Sequence, residues 1–189
     1  MATQPASPLN EEEYLCIERE AATKSEFHDG RMFAMAGSSL NHALLSNTIG
    51  SILRGQVPPG CRTVSSDLRI KVAAAGLYTY ADCSVICGDP QFAGSPKESV
   101  LNPLLIVEVL SPTTEGYDRG KKFEMYRTIE SLREYLIVHQ DRRRVEHHSK
   151  RDEGGWLLRE YADDVSVDIP HLGVTISLAE LYAGVMDLT

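Results

Sequence analysis

Two acidic residues lie inside apolar segments that predict buried strands. Glu108 interrupts the run 104–110, and Asp82 opens the run that continues to residue 86. A carboxylate in a core strand is costly unless a cation, a metal ion or hydrogen-bond donors compensate for it. A buried salt bridge for Glu108 and a strand-end cap for Asp82 are the structural alternatives. The functional interpretation is a shared magnesium ion, which can activate water and neutralise phosphate charge.

A lysine is predicted to point towards the same region. In the helix predicted over about 118–129, Lys122, Met125, Tyr126 and Ile129 recur at the spacing of one helical stripe, and Lys121 falls at its edge. A lysine on an apolar face needs a carboxylate or an anion. The alternative is that its ammonium extends along the helix to solvent.

Other polar residues are weaker candidates. Asn41 and His42 lean towards the buried side of a predicted helix, where a satisfied core histidine is the favoured interpretation. Asp67 begins a strand and is expected to accept hydrogen bonds in a turn. Glu26 lies in the first predicted hairpin and is expected to pair with a nearby cation.

The overall charge limits how the protein can contact nucleic acid. A net charge of −8 argues against a uniformly basic surface but allows a local basic patch in a cleft. Arg142, Arg143 and Arg144 lie at a predicted hairpin tip, where they would either contact phosphate or form a solvated loop.

The four cysteines do not have the spacing of a disulfide framework or of the usual CxxC zinc site. They are Cys16, Cys61, Cys83 and Cys87. Cys83 and Cys87 would lie on one face of a strand, so a zinc site is an alternative. We expect buried free thiols, because free cysteine behaves as a small hydrophobic residue.

Several classes of protein are disfavoured. The N-terminal residues contain no apolar run of signal-peptide length, and no segment approaches the roughly 20 apolar residues of a membrane span, so a cytoplasmic location is expected. The sequence has no GxGxxG, P-loop or GxSxG motif and no histidine pair with zincin spacing.

The pattern of elements predicts an α/β or α+β fold with a mixed central sheet. Residues 1–9 are expected to be a flexible tail and 10–189 a single domain. An Asp-Gly hairpin turn is predicted at 29–30 and a loop at 88–103. Helices are predicted near 10–20, 39–54, 118–129 and 178–185, and strands at 68–72, 84–87, 104–110, 134–139, 142–148, 156–161, 165–169 and 174–176.

Four segments together resemble the Uma-type endonuclease family, which is similar to the PD-(D/E)XK, or restriction-endonuclease-like, superfamily. The likeness extends from about Tyr14 to Tyr182 and includes residues 26–30 and 66–67. The segments are LYTYAD at 77–82, the stretch 102–114 around IVEVLSP, DRGKKF at 118–123 and SLREY at 131–135.

The resemblance implies a four-stranded mixed sheet flanked by helices, with added strands and hairpins. It implies that Asp82, Glu108 and the carbonyl of Val109 bind Mg²⁺ or Mn²⁺, and that activated water attacks a DNA phosphorus to leave a 5′-phosphate and a 3′-hydroxyl. Glu26, Asp67 and Tyr126 would be auxiliary residues. By analogy, cleavage of both DNA strands would be easiest for a homodimer.

The sequence departs from the superfamily motif at two positions. Ala81 stands where a proline precedes the aspartate, and Leu110 stands where a lysine follows the glutamate. Lys122 is the candidate to replace that lysine, and Lys121 and residues 142–144 are candidate DNA contacts. The alternatives are a catalytically silent DNA-binding or protein-interaction module on this fold and a hydrolase of another phosphoester.

Overall fold

The computed structural model describes residues 8–112 and 114–188, so most of the predicted tail lies outside the described residues. A π-helical segment spans Asp118–Lys122, and a 3-10 turn spans Ala73–Ala75. The helices are α1 (Glu11–Glu20), α2 (Leu40–Gln56), α3 (Glu115–Tyr117), α4 (Phe123–Tyr126) and α5 (Leu178–Leu181). The strands are β1 (Ser25–His28), β2 (Arg31–Ala34), β3 (Cys61–Ser65), β4 (Arg69–Val72), β5 (Leu77–Thr79), β6 (Cys83–Cys87), β7 (Ser99–Val100), β8 (Leu105–Val109), β9 (Glu134–Val138), β10 (Arg144–Lys150), β11 (Trp156–Ala162), β12 (Ser166–Ile169) and β13 (Val174–Ser177).

Local sequence signals account for the first elements. Asn10 caps α1 in a reciprocal capping box with Glu13. Asp29 and Gly30 have φ values of 51° and 73°, as the central positions of a type I′ turn require, and they join β1 to β2. The predicted first helix and hairpin are therefore confirmed.

The long helix α2 buries the stripe that its sequence predicts. Leu45, Ile49, Ile52 and Leu53 are all buried, and the helix contacts β3, β6, β8 and β13. Ser39 caps it by accepting a hydrogen bond from the backbone of His42. The start of α2 is thus held at a defined place on the larger sheet.

Two mixed sheets form the framework, which confirms the predicted fold class. The larger sheet has the order β11-β10-β9-β8-β6-β3, and its parallel pair is β8 with β9. The smaller has the order β2-β1-β5-β4-β7, and β12 and β13 form a separate antiparallel pair. β8 lies inside the larger sheet, as its almost continuous apolar sequence predicts.

Alternation along β8 decides which side receives Glu108. Leu105, Val107 and Val109 belong to the core cluster that also contains the α2 stripe. Ile106 belongs to the opposite cluster, which includes residues of the smaller sheet and of α4. Because successive strand residues point to opposite faces, Glu108 lies on the side of Ile106.

The helix predicted over 118–129 differs from the structure in its bounds and its form. It begins at Glu115, passes through the π-helical segment and ends at Tyr126, after which Thr128 and Ile129 donate hydrogen bonds three residues back. The π-helical segment contains Lys122, and such segments are frequent at functional sites. The predicted burial of Lys122, Met125 and Tyr126 is confirmed.

One charged residue of β4 is buried although its sequence position suggests exposure. Arg69 lies between the apolar Leu68 and Ile70, yet it is buried, with its guanidinium 5.5 to 5.9 Å from the ring centroids of Tyr14, Tyr78 and Tyr80. The guanidinium also donates to Ser99 Oγ at 2.8 Å. Cation–π contacts and hydrogen bonds compensate its burial. β7, which pairs with β4, lies inside the predicted 88–103 loop.

The expectation of buried free thiols holds for one of the four cysteines, Cys83. Cys83 is buried and free, and Cys16 is exposed and free. Cys61 and Cys87 form a disulfide, because the antiparallel pairing of β3 with β6 places them directly opposite each other.

None of the helices in residues 8–112 and 114–188 is long and apolar enough to span a membrane.

A second buried carboxylate, that of Glu134, connects neighbouring elements of the larger sheet and the β12–β13 turn. Glu134, at the start of β9, is 0% exposed and lies 2.6 Å from His147 Nε2 and 2.7 Å from His171 Nδ1. Burial alone would raise the pKa of Glu134, but the two imidazoles hold it below its usual value. This contact joins β9, β10 and the β12–β13 turn.

We expect Glu134→Ala to lower the free energy of unfolding at pH 7 by about 3 kcal/mol, because it leaves two imidazoles without their carboxylate. A depressed folded-state pKa stabilises the protein above the unfolded value of about 4.3, and this contribution is lost as pH falls through the folded-state pKa. Urea titrations at pH 7 and below pH 4 measure both effects. Asp164→Ala, which removes an exposed partner of Arg143, is the control and should change little. Identical acid profiles for Glu134→Ala and wild type would contradict this account.

Candidate functional site

Glu108 is a buried carboxylate with two partners from the following helical region. It is 4% exposed, its Oε1 accepts a hydrogen bond from Tyr126 Oη at 2.7 Å, and Lys122 Nζ lies 2.9 Å from the same oxygen. Tyr126 and Lys122 are four residues apart, so one turn of helix presents both groups to β8. The carboxylate is therefore held in a fixed position.

Lys122 is the cation at the centre of an acidic cluster. Its Nζ lies 3.1 Å from Glu26 Oε1 and 3.5 Å from Asp118 Oδ1, besides its contact with Glu108. Thr79 donates a hydrogen bond to Glu26 from the neighbouring β5. Three carboxyl groups thus surround a single ammonium, and the cluster has an excess of negative charge when all three are ionised.

The charges in this cluster influence one another. The pKa of Glu108 is raised to about 8: burial is the largest cause, Lys122 opposes it, and the carboxylates of Asp118 and Asp82 add to it. Burial disfavours the ammonium of Lys122, but Glu108, Glu26 and Asp118 hold its pKa well above its usual value. The lysine therefore stays charged, and the site favours additional positive charge beside Glu108.

Asp82 lies next to the same end of β8. The backbone N–H of Val109 donates to Asp82 Oδ2 at 2.7 Å, so the two acids are connected through the residue that follows Glu108. His42 Nε2 lies 3.4 Å from the same oxygen. Burial would lower the pKa of His42, but Asp82 and the backbone of Val109 raise it above its ordinary value.

His42 is the site residue that sequence reasoning undervalued. The helical wheel indicated a satisfied core histidine, whereas the structure places the ring beside Asp82. Asn41 Nδ2 donates to the carbonyls of Gln140 and Met186 at 3.3 and 2.8 Å, which fixes the start of α2 against neighbouring loops. The only sequence signal was the inward face of α2, since nothing local connects residue 42 with residue 82.

The auxiliary residues expected from the sequence separate into two groups. Glu26 and Tyr126 contact the Lys122–Glu108 pair directly. Asp67 does not join them: its side chain is 86% exposed and pairs with Lys24 at 3.0 Å in the turn before β4. Leu110, where the motif lysine is missing, is buried in the apolar cluster and offers no donor to the site.

The basic residues proposed for DNA contact differ in whether an acidic side chain already pairs with them. Lys121 is exposed and has no ion-pair partner within the described part of the chain. Each arginine of the hairpin tip has a local partner: Arg142 Nε lies 3.4 Å from Asp141, Arg143 pairs with Asp164 and Arg144 pairs with Glu160. The acidic partners reduce the positive charge that this tip offers to phosphate.

The donor atoms are of the type that a hard divalent cation prefers. Asp82 and Glu108 carry carboxylate oxygens, and Val109, whose N–H donates to Asp82, carries a backbone carbonyl. Among residues 8–112 and 114–188, no group of three or more Asp, Glu, His and Cys side chains is arranged to hold a metal ion. Magnesium commonly takes one or two carboxylates and completes its shell with water and substrate oxygens, so the set present fits this mode.

We expect Lys122→Met to destabilise the metal-free protein by about 3–5 kcal/mol, because it leaves the carboxylates of Glu26, Glu108 and Asp118 buried without their cation. Lys121→Met is the matched control on the adjacent, exposed position and should have little effect. Guanidinium titrations of both variants measure the difference. If Lys121→Met is the more destabilised of the two, the assignment of Lys122 to the buried face and Lys121 to the exposed face is incorrect.

Comparison with known proteins gives consistent matches along the chain. Residues 11–179 match the model of a family named Uma2 and described as "Putative restriction endonuclease". Two proteins of Synechocystis sp., both described as uncharacterized, are similar in sequence. One is 35% identical over 188 residues, which cover 97% of this chain and 98% of the relative. The other is 40% identical over 155 residues, which cover 80% and 86% respectively.

A solved structure has the same fold. It is the crystal structure of "a putative nuclease belonging to DUF820" from Anabaena variabilis, with a TM-score of 0.74, 17% sequence identity and coverage of 93% of this chain and 98% of that one. At this level of identity the likeness shows the fold.

Proposed function

This chain belongs to the Uma2 family, and from that premise we propose that it is a DNA endonuclease that depends on Mg²⁺ or Mn²⁺. The observation that carries the proposal is the linkage of two carboxylates through β8. Glu108 is held by Lys122 and Tyr126, while the next backbone N–H holds Asp82. The geometry keeps both acids at one end of the strand, beside a buried ammonium.

Asp82, Glu108 and the carbonyl of Val109 are the groups that would hold the cation. When bound, such an ion lowers the pKa of water and offsets the charge of a phosphodiester. Burial and the nearby carboxylates of Asp118 and Asp82 raise the pKa of Glu108, which supports this assignment, because a divalent cation would stabilise the ionised carboxylate.

Lys122 is proposed to replace the lysine that the superfamily motif places two residues after the glutamate. Lys122 is 5% exposed, and its ammonium reaches Glu108 from a neighbouring helical segment instead of from β8. There it would offset negative charge that develops on the phosphoryl oxygens. Tyr126 orients Glu108, and Glu26 orients Lys122, so both act as positioning residues.

DNA contact is proposed for Lys121, which is exposed beside the site. Arg142, Arg143 and Arg144 would contribute only where phosphate displaces their acidic partners. With a net charge of −8, the protein has too little positive charge for a broad phosphate-binding surface. We therefore expect its affinity for DNA to fall with salt at a slope that corresponds to only a few phosphate contacts.

We expect cleavage of supercoiled plasmid or single-stranded DNA in the presence of Mg²⁺ or Mn²⁺ and no cleavage in EDTA. Asp82→Asn and Glu108→Gln should abolish it, because each removes a charged ligand. A charge-stabilising group contributes about 10²–10³ in rate, so Lys122→Ala should lose about that much. Glu124→Gln, an exposed acid of α4, is the matched control and should retain full activity. Cleavage that persists in EDTA or in both acid variants would overturn the proposal, and inactivity on every DNA tried would favour a silent module.

His42 is proposed as a positioning residue for Asp82. Partners of metal-binding carboxylates typically contribute about 10–100-fold in metal affinity, so His42→Ala should weaken Mn²⁺ binding at least about tenfold. Calorimetric titration with Mn²⁺ measures this without requiring activity. Ser46→Ala removes a hydroxyl 3.4 Å from His42 Nδ1, on the other side of the ring, and should have a smaller effect. Equal Mn²⁺ affinity in His42→Ala and wild type would exclude this role.

A further inference from the structure

A cavity that opens to solvent lies on the opposite face of the larger sheet from Glu108. It has a volume of about 130 Å³ and is formed by β10, β11 and the β12–β13 turn. A cavity needs only about 10–15 Å³ of such volume to hold one water molecule, so this space is large enough for a bigger group. Its lining residues are His147, Ser149, Arg151, Leu157, Arg159 and Pro170.

Strand register explains why these side chains converge. His147 pairs with Arg159 and Ser149 pairs with Leu157 across β10 and β11. Directly opposed residues share a face of the sheet, and so do residues two apart along a strand. Two arginines, a hydroxyl and an imidazole are therefore presented on the same side of the hairpin.

The two arginines are little occupied by acidic partners and can pair with a ligand. Within residues 8–112 and 114–188, Arg159 has no hydrogen-bond or ion-pair partner. Arg151 Nε lies 3.4 Å from Glu153, and both side chains of this pair are more than half exposed, so the pair is weak. The hairpin tip differs, because all three of its arginines face acidic partners.

The buried part of the wall has an unmatched polar atom. His147 is 2% exposed and its Nε2 lies 2.6 Å from Glu134, but its Nδ1 has no partner among the described residues. Buried polar atoms in folded proteins nearly always have one. The negative charge of Glu134 behind this ring is shared with His171, which contacts the other carboxylate oxygen. His147 lines the cavity, so a ligand bound there would give its unmatched Nδ1 a polar partner.

We propose that this cavity is an oxyanion site that takes one phosphate group, held by Arg151 and Arg159 with Ser149 and His147. Arginine binds phosphate through paired, charge-assisted hydrogen bonds. The hydroxyl of Ser149 adds a neutral donor, and the ligand brings a polar partner to His147 Nδ1. The bound group is a phosphate monoester or diester, either free in solution or within a nucleic-acid backbone.

The phosphate in this cavity is not the one that the carboxylate site would act on. Glu134 pairs with Leu105 at the start of β8, whereas Glu108 pairs with Ile137 three residues further along. That is roughly 10 Å along the strand at about 3.3 Å per residue, and the two sites face opposite sides of the sheet. The cavity is therefore a separate binding site, and it stands whether or not the chain cleaves DNA.

The test is a titration of the intact protein with inorganic phosphate in the presence of EDTA. Binding is measured by calorimetry and by NMR of the arginine Nε–H and histidine ring resonances. We expect wild type to bind and the His147 resonances to shift. Arg151→Gln/Arg159→Gln should weaken binding about tenfold or more, since it removes two charge-assisted contacts. Ser149→Asp, which places a like charge in the cavity, should do the same. Arg31→Gln, an exposed arginine of β2, is the control and should bind as wild type does.

A second arm identifies the source of the phosphate. If a short single-stranded oligonucleotide competes with phosphate in wild type and loses affinity in the double arginine variant, a backbone phosphate is the ligand. If phosphate binds but the oligonucleotide does not compete, the site takes a free phosphate compound. Unchanged phosphate affinity in both the double variant and Ser149→Asp, or no phosphate binding by wild type, overturns the proposal.

Discussion

The desolvation of Glu108 is the constraint around which this end of the structure is organised. β8 is covered on both faces, so a carboxylate in it cannot be hydrated, and its ionised form must be stabilised by fixed donors and a cation. Lys122 and Tyr126 supply these from one helical turn. Because Glu26 and Asp118 also contact Lys122, the compensation extends to β1 and to the π-helical segment.

The other elements can be understood by what they hold in place. The smaller sheet brings Glu26 and Thr79 to the ammonium, and the start of α2 brings His42 to Asp82. The π-helical turn accommodates Asp118 and Lys122 together, with both side chains buried. An ionic cluster of this kind adds little net stability by itself, since the attraction is offset by lost hydration. Its effect is to define the positions of Asp82 and Glu108.

The net charge of −8 does not show that the arginines of this protein differ in whether they have acidic partners. At the hairpin tip, acidic partners accompany Arg142, Arg143 and Arg144, whereas Arg159 across the β10–β11 hairpin has none in the described part of the chain. Positive charge is therefore concentrated at a few exposed positions. A protein of this charge would contact polyanions through such local groups and not through a continuous basic face.

The sequence by itself determined the features that depend on neighbouring residues. Apolar runs, helical stripes and turn residues predicted β8, α2, the Asp29-Gly30 turn and the burial of Lys122, because short-range periodicity reflects which side is covered. Its motifs also indicated the family. Only the tertiary structure decided contacts between distant segments: the Cys61–Cys87 disulfide, the buried Arg69 among tyrosines and His42 beside Asp82. These depend on how sheets and helices pack, which no local pattern of hydrophobicity encodes.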